Sequence, residues 1–352
     1  MPDRPHPLLE LTRARVLEFL REPEAVFWVF VFPVLLALAL GIAFRSRPAE
    51  VARAAVVPGS EAARETAERL GRAPGVAVRI LDLAGAEEAL RKGRVDVVLE
   101  VSGAPPPAAS VTYRFDPTRP EGRAARLAVD DALQRAAGRA DAVPTVERPA
   151  TEAGSRYIDF LIPGLVGLNL MGSGMWGIGF SVVVARTRKL LKRFAATPMR
   201  RSHYLLSFAL SRLVFLALEV AAVVGFGRFA FGVEIRGSIL DLSLVSLLGA
   251  AAFAGLGLLV AARPRTIEAV SGWMNFVMLP MWLLSGTFFS YERFPETLRP
   301  AIRALPLTAL NDALRAVVND GAALSDRWPE ALVLAAWTAA SFALALRIFR
   351  WQ

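Results

Sequence analysis

Residues 157–201 constrain the fold most strongly, because they join a long apolar stretch directly to a basic one. Residues 157–185 are almost wholly apolar, and at about 1.5 Å per residue a helix of this length crosses a bilayer. Residues 186–201 follow with seven Lys or Arg and no Asp or Glu. Basic residues beside a spanning helix stay in the cytoplasm. The run therefore predicts a short cytoplasmic helix, ended by Thr197-Pro198, that offers a surface to a partner.

Five further apolar stretches are long enough to span a membrane, so the sequence predicts six transmembrane helices. They are residues 25–44, 204–232, 240–262, 267–289 and 331–349. The first is too long for the apolar core of a cleavable signal peptide. Residues 8–22 before it predict an amphipathic helix in the inner leaflet interface, although a soluble helix packed on a neighbour shows the same pattern. The flanking basic residues predict a multi-pass protein of the cell inner membrane with both termini cytoplasmic.

Composition agrees with a chain whose charged and apolar parts are separated. Hydrophobic residues make up 54% and charged residues 21% of the chain. Residues 46–156 hold 17 Lys or Arg and 16 Asp or Glu, and the rest holds 24 and 16, so most of the net charge of +9 lies in the membrane part. Basic cytoplasmic loops explain this excess, and nucleic-acid binding is not expected. With no cysteine and two histidines, the sequence predicts no metal site.

Residues 46–156 form an insert between the first and second predicted spans. Strands are predicted at residues 51–57, 76–81, 95–101 and 110–115, with helices between the first three and after the last. This order predicts a small α/β domain, and the topology places it outside the cytoplasm. Neither a phosphate loop nor a catalytic cluster stands out in it. A structural cap over the pore entrance and capture of a substrate remain equally open as its role.

One glycine-rich motif lies inside the predicted second span. Residues 172–177 read GSGMWG, which matches the dinucleotide-binding G-x-G-x-x-G by letters but lacks the preceding strand. The better interpretation is close helix packing by the row Ser173, Gly177 and Ser181, which faces a partner subunit or another span of the same chain. The sequence G-x-x-x-x-G-K-[ST] of an ATP-binding loop does not occur in the chain.

Glu219 is the main ionisable residue within the predicted spans. Buried charges in a membrane are costly, and Arg212 lies seven residues before it, nearly two turns away on the same side of the helix. Arg212 is near enough to the inner surface to extend towards it. A structural hydrogen bond to a neighbouring helix and a role in a transport pathway both remain open for Glu219. Asn169 and Asn275 are weaker examples of the same kind.

Two motifs resemble those of the ABC type-2 transporter permeases. The first is LKRFAATPMRR at residues 191–201, and the second comprises LSGTFF at 284–289, the FPE turn at 294–296 and LPLT at 305–308. The resemblance implies that residues 186–201 contain the coupling helix that docks on an ATP-binding subunit. It also implies outer interfacial helices at 290–320, broken at Pro306. The residues that it assigns to coupling are Lys192, Arg193, Phe194, Thr197, Pro198 and Arg201.

The resemblance implies the permease subunit of an ATP-driven ABC exporter, an α-helical polytopic membrane protein with no ATPase site or cofactor of its own. ATP and Mg would bind a separate cytoplasmic subunit, and a second permease, identical or different, would complete the pathway in the lipid bilayer. The expected domains are residues 1–45, 46–156 and 157–352. A receptor that binds a ligand through residues 46–156 and an ion-coupled carrier that uses Glu219 are the alternatives. The sequence does not identify a substrate.

Overall fold

A computed structural model describes residues 7–44, 51–103, 109–140, 143, 154, 156–187, 201–264 and 266–348. The chain divides into two units, one formed by residues 1–45 and 151–352 and the other by Ser46–Ala150. Among the described residues, the first unit contains six helices that are long and apolar enough to cross a membrane, as the sequence predicted. Each unit has a hydrophobic core of its own.

The described residues of the first unit are mostly helical, and its six long helices are called spans one to six. An N-terminal helix, Pro7–Leu20, precedes them and packs Phe19 against Phe215 of span three, with ring centroids 4.3 Å apart. The spans are Pro23–Ala43, residues 157–187, Arg201–Phe231, Ile239–Ala261, Ile267–Leu284 and Trp328–Ile348. Span two is buried along most of its length and contacts spans one, three and four, so it is the centre of this unit.

Two of these spans contain a π-helical stretch, in which one extra residue per turn displaces the backbone hydrogen bonds. Span one is π-helical at Phe27–Val31, and span two at Met175–Phe180. Such stretches are frequent at functional positions because they leave a carbonyl oxygen free for another partner. Both lie close to the polar residues described in the next section.

Span five ends earlier than its hydropathy predicted. The apolar run continues to residue 289, but the helix stops at Leu284. Gly286 then adopts a φ of 70°, a left-handed conformation that residues with a side chain rarely tolerate. The turn directs the following residues back into the protein instead of extending the span.

The hairpin between spans five and six contains the two short helices that the sequence predicted around Pro306. They are Arg299–Arg303 and Pro306–Arg315, the second with Pro306 in its first turn. The second helix is buried on nearly all sides against spans two, four and six. Asn311 explains this, because its amide donates to the Ser285 carbonyl at 3.1 Å and to Thr287 Oγ1 at 3.1 Å inside the protein.

The second unit is a three-layer α/β fold. Its strands are β1 Ala52–Val57, β2 Val76–Ile80, β3 Val97–Gly103 and β4 Ala109–Phe115, in the sheet order β2-β1-β3-β4. The first three are parallel and β4 is antiparallel to β3. Helices Glu61–Gly71 and Pro120–Ala136 cover one face, and Leu83–Arg91 covers the other.

The side chains of this sheet explain why both faces are covered. In β1, Ala54 and Val56 enter one core while Ala55 enters the other, because successive side chains of a strand point to opposite faces. The interior strand β3 is likewise apolar at Val97 and Val98, which point to opposite faces. Ser60 caps the first helix by accepting from the Ala63 amide at 3.1 Å.

Candidate functional site

The candidate site is a buried polar cluster on span two and span three, near the ends that flank residues 188–200. Span two ends at Thr187 and span three begins at Arg201. Of the residues assigned to coupling, Lys192, Arg193, Phe194, Thr197 and Pro198 lie outside the described residues, and Arg201 is the first residue of span three. The cluster lies about three to five turns of helix further into the two spans.

Glu219 is at the centre of this cluster. Its side chain is 2% exposed, and Arg212 Nη1 donates to its Oε1 at 3.2 Å. The hydroxyl of Ser173 on span two lies 2.8 Å from Glu219 Oε2 and also 2.8 Å from the Asn169 carbonyl, so one hydroxyl proton serves two acceptors. Arg212 Nη2 donates to the same hydroxyl at 2.5 Å. The three side chains thus bond span two to span three.

Arg212 differs from its expected position. It was predicted to extend towards the membrane surface, but its guanidinium turns towards Glu219 and its side chain is 18% exposed. The pairing explains the difference, since an unpaired carboxylate in an apolar interior costs several kcal/mol and a guanidinium partner removes most of that cost. Of the two roles left open for Glu219, the hydrogen bond to a neighbouring helix is present.

Asn169 extends the polar contacts to span one. Its Nδ2 donates to the Val29 carbonyl at 3.0 Å. Val29 lies in the π-helical stretch of span one, where the regular helical bonding is displaced. Asn169 and Ser173 are one helical turn apart, so a single face of span two is bonded to spans one and three.

The glycines of span two make close contacts, but at different positions from those predicted. A Cβ added to Gly174 would lie 2.7 Å from Phe253 Cβ, and one added to Gly179 would lie 2.6 Å from the Gly257 carbonyl oxygen. Gly177 is exposed, and a Cβ there would have Arg212 Nη1 at 4.0 Å as its nearest neighbour. The tight contact within the chain therefore joins span two to span four and does not involve Gly177.

The remaining predicted residues lie apart from the cluster. Ser181 donates to the Gly177 carbonyl of its own helix and is partly exposed, so the row Ser173, Gly177 and Ser181 turns from the buried cluster towards the protein surface. Asn275 is exposed on span five, next to Trp273 and Phe276, which are 58% and 71% exposed. The sequence left two possible contacts for this row, a partner subunit and another span of the same chain. Because the row becomes exposed within the chain, contact with a partner subunit is the one that fits.

Two arginines bond the ends of the spans, and their partners could not be predicted from the sequence. Arg186, read as the start of the basic run, donates to the Ala261 and Pro264 carbonyls at 3.3 and 3.2 Å, and so it caps the end of span four. At the opposite end, Arg156 pairs with Asp159 at 2.8 Å and donates to the Phe231 carbonyl at 3.0 Å. The hydrogen bond to Asp159 raises the pKa of Arg156. Basic residues often cap helix ends, but which end they reach depends on packing.

Chemically, the cluster is an ion pair with one shared hydroxyl. Within the described part of the chain, no group of three or more His, Asp or Glu side chains is placed to hold a metal ion. The carboxylate of Glu219 is neutralised by Arg212 and hydrogen-bonded by Ser173. Such a hydrogen-bonded cluster fixes the position of span two relative to span three, so the two helices move together.

Comparison with known proteins adds a family to this geometry. Residues 24–347 match the family described as ABC-2 family transporter protein. The chain is 30% identical to the probable multidrug ABC transporter permease YbhS of Escherichia coli over 155 residues, which are 42% of this chain and 39% of that protein. It is 27% identical to ABC transporter G family member 20 of Dictyostelium discoideum over 186 residues, 52% of this chain and 25% of that protein.

A third relative is also named as a permease. The linearmycin resistance permease protein LnrN of Bacillus subtilis is 24% identical over 176 residues, which are 50% of this chain and 46% of that protein. The matched stretches therefore span between a quarter and about half of the length of these three relatives.

Proposed function

The chain belongs to the ABC-2 family of transporter proteins, and from this we propose that it is the permease subunit of an ATP-driven exporter. Permease subunits of this family carry no ATPase site of their own. ATP and Mg would therefore bind a separate cytoplasmic subunit, and two permeases would enclose the pathway. The same proposal places the α/β unit outside the cytoplasm and both termini inside.

One observation supports this proposal above the others. Spans two and three flank residues 188–200, and the Ser173–Glu219–Arg212 cluster bonds these two spans inside the protein. A push on the segment between them would move both spans as one body, because separating them breaks the buried hydrogen bonds that Ser173 of span two makes with Glu219 and Arg212 of span three. Arg186 adds span four through its bonds to the end of that helix. This is the mechanical link that coupling to an ATPase needs.

The alternatives are less well supported by the same residues. An ion-coupled carrier needs a carboxyl that gains and loses a proton during transport, whereas Glu219 is held by Arg212 and Ser173 in an ion pair. A receptor needs no second protein that hydrolyses ATP.

The names of two relatives refer to multidrug transport and to linearmycin resistance, so drugs and antibiotics are the first substrates to test.

Purification from native membranes tests the proposal directly. The tagged chain should carry with it a protein with an ATP-binding loop, and the complex should hydrolyse ATP in proteoliposomes. Phe194→Asp, within the coupling segment, should abolish both copurification and hydrolysis, because a charge replaces an apolar contact. Phe194→Leu keeps the apolar character and should retain both. Transport without an ATPase, driven by a proton gradient, would support the carrier instead.

A further inference from the structure

A cavity of about 530 Å³ lies between the hairpin and the start of span six, away from the polar cluster. Its volume is within the range of small-molecule sites, roughly 300–1,000 Å³. Most of its lining side chains are charged or polar, which is unusual for a cavity beside a spanning helix. The six that matter here are Tyr291, Arg303, Asp312, Arg315, Arg327 and Glu330.

The charged groups around this cavity form ion pairs with long separations. Arg315 Nη1 lies 3.9 Å from Asp312, and Arg327 lies 3.7 Å from Glu330 and 4.0 Å from Asp320. All three separations exceed the length of a hydrogen bond, roughly 2.7–3.2 Å. Because these pairs are too long for direct hydrogen bonds, their N–H groups and carboxylate oxygens can bond an occupant that carries both charges.

Several contacts hold the side chain of Arg315, which supplies a positive charge to the cavity lining. Its guanidinium stacks 3.6 Å above the centre of the Phe160 ring, its Nε donates to the Phe160 carbonyl at 3.2 Å, and its Nη2 donates to the Gly286 carbonyl at 2.5 Å. Burial lowers the pKa of Arg315 to about 10, so the side chain stays charged at neutral pH. Neither carbonyl bond uses Nη1, the nitrogen nearest Asp312.

Arg303 provides a second cation at the same wall. It is exposed, and its guanidinium carbon lies 5.9 Å from the centre of the Tyr291 ring. Tyr291 in turn donates to Asp312 at 3.0 Å, so Asp312 has a proton donor of its own. Arg303 also hydrogen-bonds the Tyr291 hydroxyl, and its exposed guanidinium has further N–H groups that can donate to an anion.

Glu330 supplies a negative charge to the cavity lining, and one of its carboxylate oxygens lacks a hydrogen-bond donor. Its Oε2 is buried and has no hydrogen-bond partner among the described residues. A buried carboxylate oxygen without a donor is costly, and in native proteins such atoms usually bind a ligand or water. An ammonium group, with three N–H donors, meets this requirement.

The position in the chain indicates where such a ligand comes from. Glu330 lies in the first turn of span six, between Trp328 and Leu332, which are 64% and 59% exposed. Exposed tryptophan at the end of a spanning helix is typical of the level at which lipid headgroups lie. The cavity is therefore at the depth of a headgroup, next to a surface that contacts lipid tails.

We propose that this cavity binds a phosphoethanolamine group, that of a phosphatidylethanolamine molecule in the adjacent leaflet. The ammonium donates to Glu330 Oε2, and the phosphate lies against Arg303 and Nη1 of Arg315. The lipid tails then follow the exposed face of span six beside Leu332. This site goes beyond the proposed transport function and does not depend on it.

Native mass spectrometry of the delipidated full chain in detergent tests the proposal. Phosphatidylethanolamine should bind about tenfold more tightly than phosphatidylglycerol, which lacks the ammonium. Phosphatidylcholine carries the same charges but has no N–H to donate, and it should bind more weakly than phosphatidylethanolamine. Equal binding of phosphatidylethanolamine and phosphatidylglycerol would overturn the proposal.

Two variants separate the two ends of the ligand. Glu330→Gln should weaken phosphatidylethanolamine about tenfold and leave phosphatidylglycerol unchanged, whereas Arg303→Gln should weaken both lipids. Glu296→Gln is the matched control, because its side chain is 87% exposed on the same hairpin and outside the cavity. Unchanged phosphatidylglycerol binding also shows that Glu330→Gln is folded. Unchanged binding of phosphatidylethanolamine to Glu330→Gln would overturn the assignment.

Soluble phosphoethanolamine distinguishes the source of the group. If it does not displace the lipid at millimolar concentration, the lipid is the ligand as proposed. If soluble phosphoethanolamine displaces the lipid from the parent chain but not from Glu296→Gln, a substitution outside the cavity has changed the binding. The control has then failed, and the proposal is overturned. If it displaces the lipid from both and binds without lipid, the headgroup chemistry stands and the source is the aqueous phase.

Discussion

Glu219 shows how a carboxylate is kept inside an apolar set of helices. Its oxygen atoms are occupied by a guanidinium and a hydroxyl, so both the charge and the hydrogen-bonding capacity are met. Removing one partner of such a pair costs about 3–5 kcal/mol, because the other charge is left buried. Arg212 retains some exposure, so the lower part of that range applies.

A double-mutant cycle measures how far Glu219 and Arg212 depend on each other. Glu219→Gln and Arg212→Met should each lower the free energy of unfolding by about 3–4 kcal/mol, since each leaves the other group unpaired. The double variant should cost less than the sum by about 1–3 kcal/mol. Denaturant titration in mixed micelles provides the values.

The control for this cycle is Arg228→Met, which removes an exposed arginine from the same helix and should change stability little. If the two single effects simply add, the groups are independent and the cluster is not a unit. Transport assays on the double variant then address function. A stable double variant that no longer transports would move Glu219 from a structural role to the pathway.

At the scale of helices, the contact between spans two and four depends on single glycines. Gly179 leaves no room for a methyl group beside the Gly257 carbonyl, while a Cβ on Gly172 of the same span would meet nothing within 4 Å. Without a hydrophobic drive between helices in lipid, such close packing is what holds spans together. Alanine substitutions at these two glycines should therefore change the stability of the chain in opposite directions.

Gly179→Ala should destabilise the chain by about 1–3 kcal/mol, because the new methyl group overfills a packed contact. Gly172→Ala should leave stability unchanged or raise it by at most about 1 kcal/mol, since alanine favours a helix over glycine. Thermal unfolding of both purified variants beside the parent is the measurement. Equal shifts for the two would mean that helix propensity, not packing, sets the outcome.

The elements themselves could be predicted from the sequence more completely than their contacts. Run length identified six spans, and Pro306 correctly marked a break between the two short hairpin helices. The end of span five was placed too late, because the left-handed turn at Gly286 interrupts an apolar run that hydropathy alone continues. The π-helical stretches leave no trace in composition or periodicity.

The candidate site could be predicted only in part, because its contacts depend on how each helix is rotated about its axis. A separation of seven residues put Arg212 and Glu219 on one side of span three, but only packing brings Ser173 to them. Likewise, spacing could not tell that Gly179 faces span four while Gly177, two residues earlier, is exposed. The buried position of Arg315 had no sequence signal.

For the whole molecule, the exposed row on span two bears on assembly. Gly177 and Ser181 are at least partly exposed in the single chain, and small residues on an exposed face let a second backbone approach. Gly177→Leu should therefore weaken association between two permeases by tenfold or more while the melting temperature of the single chain is unchanged. Crosslinking and size-exclusion chromatography in mild detergent report the association.

The matched control for assembly is Gly225→Leu, at an open position in span three where an added Cβ meets nothing within 4 Å. It should assemble like the parent chain. If Gly177→Leu also assembles normally, this face of span two contacts lipid or an open pathway. Loss of transport with normal assembly would assign it to the pathway.

The placement of the α/β unit outside the cytoplasm is the remaining property of the whole molecule to be tested, and it follows from counting spans. With the basic residues around residues 1–22 held inside, one crossing puts residues 46–156 outside. Four crossings return Arg263 to the inside, and a fifth puts the hairpin with Glu296 outside again. The chain contains no cysteine, so single cysteines can be introduced without removing others.

Glu68→Cys, Glu296→Cys and Arg263→Cys all replace exposed side chains, so labelling should report sidedness and not burial. A membrane-impermeant maleimide added to intact spheroplasts should label the first two and leave the third unlabelled until the membrane is opened. The physical reason is the charge of Arg263 and its neighbours, which resists transfer across the bilayer. Labelling of Glu68→Cys and Arg263→Cys from the same side would contradict the topology, because an odd number of spans separates these residues. The proposed exporter arrangement would then fail as well, since it needs three crossings between the α/β unit and Arg263.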